Sequence, residues 1–369
     1  MTTRRALNVL VVTCVHRGDD ARVYQRQVRQ LVEAGHRVVY IAPAMTSDVA
    51  TFRGVTHIVI PRAVGRQRLA SWRAVREAVK AHRTSCDVMV VHDPELTVVL
   101  RGTGDSPAVF DVKEDTPAAI ADKAWIPVWA RPAARRSTTV LERWASRSYH
   151  LLLAEYSYRK RFGDHHAVVP NSTWVPSQEP KPTGRTVVYL GRISRRRGAE
   201  TLLRVGRALE PGRLLLIGDA DADVRDDVAH AAALGQVRWT GFLPNPEALA
   251  LVEGALVGLS LLAPEPNYLH SQPTKLAEYF ARGVPAITTP LPLAKELVEQ
   301  TGAGLVVPYQ DSGAVVRAIA TLDGDPELRA EMGRLGYEAA RAQFDWSRDG
   351  REFVSLLEGW SRSPSTSVT

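Results

Sequence analysis

Cysteine is almost absent. Cys14 and Cys86 are the only two in 369 residues, both in apolar, strand-like segments, which excludes a disulfide framework and points to reduced core thiols. No apolar run approaches the roughly 20 residues that a membrane-crossing helix needs. The opening MTTRRALNVLVVTCVHRGDD puts two arginines before an apolar run, yet no small-x-small cleavage site follows and the run ends in a charged loop. A buried first strand is expected there rather than a leader, and with it a cytoplasmic location. No Asp-x-Asp pair stands in a setting suited to Mg²⁺. The acidic run from Asp219 to Asp227 reads as a helix start, so no metal is expected.

What is present is the composition of a soluble globular protein, 45% hydrophobic and 24% charged, in a chain long enough for two domains. The net charge of +7 is uneven: residues 1–180 hold 26 Lys+Arg against 17 Asp+Glu (+9), leaving 21 against 23 (−2) for residues 181–369. A basic first half suggests an anionic partner, such as a phosphorylated acceptor or an acidic membrane surface, the plainer alternative being an arginine-rich solvated surface. Peripheral contact with the inner membrane face is one expectation from it. Nucleic acid is not expected, because the arginines are not interleaved with aromatics on one patch.

Strand and helix patterns alternate through the first half. LNVLVVTCV (7–15) is a continuous apolar run, as expected for a strand covered on both faces. Tyr24, Val28, Leu31 and Val32 follow at helical spacing and end at Gly35; RVVYIA and VTHIVI come next. Trp72, Val75, Val79 and His82 predict one face of a second helix, ahead of DVMVVH, PAVFDV, an arginine-studded helix near 140–149 and HLLLAE. The second half repeats the theme with TVVYL, RLLLIGD, QVRW, ALVGLSLL, VPAITT and GLVVP between helical patterns. NSTWVPSQEPKPTGR (171–185) reads as a linker. The chain is therefore expected to be α/β, with two Rossmann-like, doubly wound domains at 1–175 and 176–345 facing across a cleft. A last helix crosses back within 346–369 and ends in a mobile tail.

In such sheets ligands bind in loops after the carboxyl ends of strands. GRISRRRG (191–198) follows a strand and opens a helix. Glycine allows close backbone approach and arginine forks fit phosphate, although a solvated arginine run is the plainer reading. IGDAD contributes Gly218. TGFLPNPEALA offers Asn245 as the N-cap of a helix that Pro246 begins, or an ordinary turn. In SQPTKLAEYFARGVPAITT, Ser271 and Thr274 can cap, Pro273 fixes the loop, Lys275 could meet phosphate, and Glu278 can accept two hydrogen bonds from a cis-diol such as ribose.

GRISRRRG followed some 80 residues later by SQPTKLAEYFARGVPAITT resembles the donor half of a family 4 retaining glycosyltransferase with the GT-B fold. HRGDDARVYQRQVRQLVEAGHRV, VVHDPEL and FDVKEDTPAAIADKAWIP resemble the acceptor half of a bacterial subgroup. The likeness spans nearly the whole chain. It implies a hexosyltransferase in which Arg192 and Arg197 grip the nucleotide diphosphate together with Gly191, Gly218, Lys275 and the backbone of Gln272, Pro273 and Thr274. Glu278 would hold the ribose, and Phe242 and Leu243 the base. Two positions depart from the family. His270 stands where a first glutamate is usual, and Lys113 where a histidine is usual; lysine there could steady the leaving phosphate or pair with Glu114 or Asp115. His92 and Asp93 end a strand on the acceptor side. Asp20 and Arg22 are acceptor contacts or a helix-start pair.

The expected reaction is metal-independent, retaining transfer of a sugar from a UDP- or GDP-type donor to a hydroxyl of a lipid-linked, glycan or small-metabolite acceptor. No cofactor beyond that co-substrate is expected, and the departing phosphate takes the proton. The alternatives are a catalytically silent nucleotide-sugar-binding partner, motivated by Lys113, and a nucleotide-sugar 2-epimerase on the same fold.

Overall fold

The structure is a computed structural model that describes residues 5–46, 51–113, 127–266, 268–269 and 273–362. Glu114, Asp115, His270, Ser271 and Gln272 lie outside the described residues. The chain forms two compact units, Met1–Asn171 with Arg348–Thr369, and Ser172–Ser347.

The first unit is built on β1 (Asn8–Val12), β2 (Arg37–Ala42), β3 (Val55–Val59), β4 (Val88–Val91), β5 (Ala108–Val112), β6 (His150–Leu153) and β7 (Ala167–Val168). They pair in parallel in the order β3-β2-β1-β4-β5-β6-β7. The apolar runs are continuous because the central strands are covered on both faces. Leu10, Val12, Met89, Val91, Phe110 and Val112 point into one core with Val75 and Val79 of helix Arg68–Arg83, while Val9, Val11 and Val90 are equally buried on the other side.

Two local expectations change. Helix Arg68–Arg83 buries Ser71, Val75, Val79 and Arg83, leaving Trp72 and His82 only half-buried. Arg83 turns inward because its guanidinium donates to the Ser106 carbonyl. The segment after the first loop is not uniformly α-helical: Val23–Val28 is a π-helix that passes into an α-helical turn, Arg29–Glu33. All six π-helical residues are buried, and polar Gln27 reaches the carboxyl end of β5 to donate to Asp111 at 2.9 Å.

Helix Trp346–Trp360 belongs almost wholly to this unit. Phe353 and Leu357 are fully buried, each burial contributing about 1.5–3 kcal/mol. Trp360 stacks on His150 with centroids 5.0 Å apart. His36 accepts the Leu7 N–H at Nδ1 (3.1 Å), which leaves the proton on Nε2, 3.4 Å from Glu358.

The second unit is built on β8 (Val187–Leu190), β9 (Leu214–Ile217), β10 (Arg238–Trp239), β11 (Val257–Ser260), β12 (Ala286–Thr288) and β13 (Gly304–Val306), parallel in the order β10-β9-β8-β11-β12-β13. Val187, Tyr189, Leu214 and Leu216 enter one core with helices Ala199–Ala208 and Ser312–Gly324. Val188, Leu190, Leu215 and Ile217 enter the other with helices Asn245–Val252, Thr274–Phe280 and Pro292–Thr301. The stretch read as a linker is pinned to this unit rather than free. Thr173 bridges Asp345, Arg282 donates to the Trp174 carbonyl at 2.8 Å, Tyr337 to that of Pro176 at 2.6 Å, and Gly184 to that of Gly254 at 2.7 Å. Its prolines lack donors, so neighbouring side chains and turns meet its backbone acceptors.

In each sheet the strand order reverses once, between β1 and β4 and between β8 and β11. Loops that follow strands on either side of such a reversal diverge and leave room for a ligand.

Candidate active site

At the β8/β11 divergence the fork is held open by Tyr279 of helix Thr274–Phe280. Its fully buried hydroxyl accepts the Leu190 N–H at 2.9 Å and donates to the Leu259 carbonyl at 3.0 Å. The ring lies over Gly258, where a Cβ would come within 2.4 Å of it; only glycine admits the tyrosine there. Tyr279 thereby fixes the helix, and with it Lys275 and Glu278.

Lys275 is 5% exposed. Its ammonium lies 3.9 Å from the centroid of the Tyr189 ring and has no hydrogen-bond partner among the described residues. Burial and the neighbouring Arg197 hold it well below the usual lysine value, against the pull of Glu278. Arg197 closes the 3₁₀ turn Arg195–Arg197, with its guanidinium 5.9 Å from the Tyr268 ring centroid. The two cations meet at Gly191, the residue after β8. A Cβ there would lie 3.9 Å from Arg197 Nη1 and 4.0 Å from Lys275 Nζ, and φ is +117°. Glycine is required for the backbone and leaves open the space that both cations face. Such a place favours an anion.

Glu278, one turn beyond Lys275, is 8% exposed and its Oε1 accepts from Asn245 Nδ2 at 3.1 Å. Asn245 is therefore not the N-cap expected from its sequence: the helix starts at Asn245 itself, Pro244 is the cap residue, and no side chain caps it. Thr274 likewise lies inside its helix and is exposed, with buried Pro273 as cap residue. Arg192 is not in the cluster; its exposed side chain pairs with Asp221. Gly218 donates to the Gly241 carbonyl at 2.8 Å, setting the turn from which half-buried Phe242 and Leu243 follow.

The first unit gathers a different cluster at β1, β4 and β5. Asp111, fully buried at the end of β5, receives a two-pronged contact from Arg22 (Nε 2.9 Å, Nη2 2.7 Å), Gln27 at 2.9 Å, and His92 Nδ1 at 3.1 Å. These donors outweigh burial and keep its carboxyl well below the usual range. Arg22 also donates to the carbonyls of Val169 (3.0 Å) and Pro170 (3.2 Å) and to Asn171 Oδ1 (2.9 Å). All five of its donors are thus engaged within the protein, which makes it a positioning residue rather than an acceptor contact. Asp93 is engaged as well. Its Oδ2 accepts from Thr13 Oγ1 (2.9 Å) and the N–H groups of Cys14 (2.6 Å) and Val15 (3.2 Å), anchoring the loop after β1.

His92 is driven down to about 4 by burial and by Lys113, Asp111 opposing. It is neutral near pH 7, its Nδ1–H donates to Asp111, and its Nε2 lone pair has no partner among the described residues. Lys113, just past β5, places Nζ 3.8 Å from Asp20 Oδ1 without a hydrogen bond among the described residues. Asp20 caps the turn below it, accepting the N–H groups of Arg22 and Val23 at 2.9 Å each.

Sequence reasoning missed His16, which lies 3.4 Å from both Asp20 and Asp93. Burial and Lys113 push this imidazole down, but Asp20 and Asp93 outweigh them and hold it above its usual value. The available signal was its place in the loop after the first strand, HRGDD.

Residues 184–325 match the family described as glycosyl transferases group 1. A phosphatidyl-myo-inositol mannosyltransferase of Mycobacterium leprae is 26% identical over 203 residues, 52% of each chain; the chain spans about half the length of the curated relatives it matches. Among solved structures, sucrose-phosphate synthase of Thermosynechococcus elongatus superposes with a TM-score of 0.71 at 19% identity over 96% of this chain and 99% of that one. Anabaena HepE, solved with UDP-glucose, superposes with 0.67 at 16% identity over 96% and 100%. The fold is therefore GT-B, and residues 184–325 resemble the glycosyl transferases group 1 family.

Proposed function

We propose that the chain is a retaining hexosyltransferase that moves a sugar from a nucleotide-sugar donor to an acceptor hydroxyl. The observation that carries this reading is the meeting of Arg197 and Lys275 at Gly191, where the Lys275 ammonium has no hydrogen-bond partner among the described residues. A diphosphate seated there would meet two fixed cations. As the bond from the anomeric carbon to the phosphate oxygen breaks, those cations would take up the charge that grows on the leaving group, without a resident metal. Glu278, held through one oxygen by Asn245, would accept from the pentose hydroxyls with the other. Phe242 and Leu243 would face the base. The acceptor is assigned to the first unit, where the neutral His92 Nε2 would accept from a sugar or acceptor hydroxyl. The acceptor oxygen forms the new glycosidic bond and its proton passes to the departing phosphate. The UDP-glucose bound in HepE and the mannosyl transfer named for the M. leprae relative support a UDP- or GDP-sugar donor and a glycan or lipid acceptor.

Calorimetry with UDP, GDP and their sugars, followed by acceptor-dependent release of the nucleoside diphosphate, tests the reading. No heat with any of these ligands overturns it. Tight binding without turnover would favour a silent nucleotide-sugar-binding protein, the reading that Lys113 in the usual histidine position motivates.

A further inference from the structure

Helix Arg131–Ser148 carries five arginines against one glutamate. Arg136, Val140, Arg143 and Arg147 recur at spacings of four, three and four, which puts all four on one helical face. The burial pattern agrees: these four are exposed, while Ala145 and Glu142 on the far side are buried. Glu142 is the helix's one acidic residue, and it turns inward to pair with Arg161. No ion pair or side-chain hydrogen bond engages Arg135, Arg136, Arg143 or Arg147 among the described residues, so the face carries uncompensated positive charge. Apolar groups are set into it: Val140 is 60% exposed, and Trp129, just before the helix, is 84% exposed, the most exposed large hydrophobic among the described residues.

We propose that this face is a docking surface for anionic phospholipid bilayers. Charge complementarity selects the occupant, since a row of guanidinium groups with no ion-pair partner among the described residues matches a plane of phosphate headgroups. An exposed tryptophan at the edge of such a row suits the headgroup layer, where an amphipathic ring has both an apolar and a polar neighbour. Nucleic acid also attracts arginine, but a single tryptophan at one end of the row gives no series of platforms for stacked bases. The inference is independent of the donor site and holds whether or not the chain transfers a sugar.

The test is co-sedimentation of the full chain with vesicles of phosphatidylcholine alone and with about one-third phosphatidylglycerol, at low and high salt. The expected result is binding to the anionic vesicles only, weakened by salt. R136E/R143E/R147E should lower the partition at least about tenfold, since each arginine near such a surface contributes on the order of one factor of five. R136K/R143K/R147K should retain most of it, and W129A should weaken it with the salt dependence unchanged. Circular dichroism of each variant establishes that it is folded. Equal binding to neutral vesicles, an unchanged partition for the folded triple glutamate variant, or capture of duplex DNA with no vesicle binding would each overturn the proposal.

Discussion

The two clusters are built from the same materials and end in opposite states. In the first unit, buried Asp111 is surrounded by Arg22, Gln27 and His92, and Arg22 spends every donor inside the protein. In the second, buried Lys275 faces Arg197 across Gly191 and has no hydrogen-bond partner among the described residues. A cation and an anion locked together serve the fold: they tie the start of the π-helix, the end of β5 and the chain at 169–171 into one piece. Two cations side by side oppose the fold, and the diphosphate proposed above would complete the coordination of Lys275.

The largest effect expected from this contrast is on stability. Asp111→Ala strands the Arg22 guanidinium in the interior and should cost about 3–5 kcal/mol in denaturant unfolding of the first unit, the usual result of removing one partner of a buried pair. Nucleoside diphosphate affinity should stay as it was. A loss under about 1 kcal/mol would mean that solvent reaches Arg22 and that the network is not the scaffold described.

Lys275→Met should do the reverse. Losing one charge-assisted contact is expected to weaken nucleoside diphosphate binding by about 1.5–3 kcal/mol, with no loss of stability in the unliganded protein. The pH dependence has a definite sign. The folded value of Lys275 lies below the ordinary 10.5, so the unfolded state binds more protons between the two values, and the wild type gains stability as pH rises toward 10.5. Lys275→Met should lack that gain. Arg197→Ala should weaken binding as Lys275→Met does. Arg192→Ala should weaken it less, because its exposed side chain is already paired with Asp221. Equal losses for the two arginine variants would show that Arg192 leaves Asp221 when ligand binds.

The difference between Arg192 and Arg197 shows where reading the sequence stopped. Apolar runs such as TVVYL mark strands because burial on both faces demands them, and the rule that ligands sit beyond strand carboxyl ends points to the loop at Gly191 and to the loop that leads into the helix of Glu278. Chain periodicity carries that much. It does not say which of several arginines in RISRRRG turns toward Lys275, since that depends on Asp221, 29 residues after Arg192. His16 was overlooked although one partner, Asp20, is four residues on; only its second partner, Asp93, is far along the chain. The π-helix at Val23–Val28 escaped because its apolar spacing passes for an ordinary helix. What differs is the polar accounting, with Gln27 drawn onto Asp111.

A smaller effect separates the fully buried His92 from its surroundings. Its folded value is about 4 against an ordinary 6.5, so the unfolded state binds the extra proton in that window. Stability is complete above pH 6.5 and is lost as pH falls toward 4. Asp111, also lowered in the folded state, gives up its own contribution only below its ordinary 3.8. His92→Gln should therefore flatten the decline between pH 6.5 and 4 in unfolding measured across pH and leave the steeper loss below it. A decline unaltered in His92→Gln would place its origin elsewhere.

The smallest effect is the most discriminating. If Asn245 acted as a helix cap, Asn245→Ser would preserve its contribution and Asn245→Ala would cost stability without touching ligand affinity. The contact to Glu278 Oε1 at 3.1 Å implies a different pattern. Asn245→Ala should cost about 0.5–1.5 kcal/mol of stability from the lost hydrogen bond and should also loosen Glu278, lowering nucleoside affinity a few-fold on the order of the same energy. Serine is too short to reach Glu278 and should not rescue either loss. Asn245→Asp should weaken nucleoside affinity further than alanine does, because a second carboxylate repels the first. A ligand that needs Glu278 for its pentose must respond to Asn245 in this order, whereas a bare diphosphate, held by Arg197 and Lys275 alone, should be indifferent to all three substitutions. Comparing a nucleoside diphosphate with inorganic pyrophosphate across these variants thus separates the acid's role from that of the two cations.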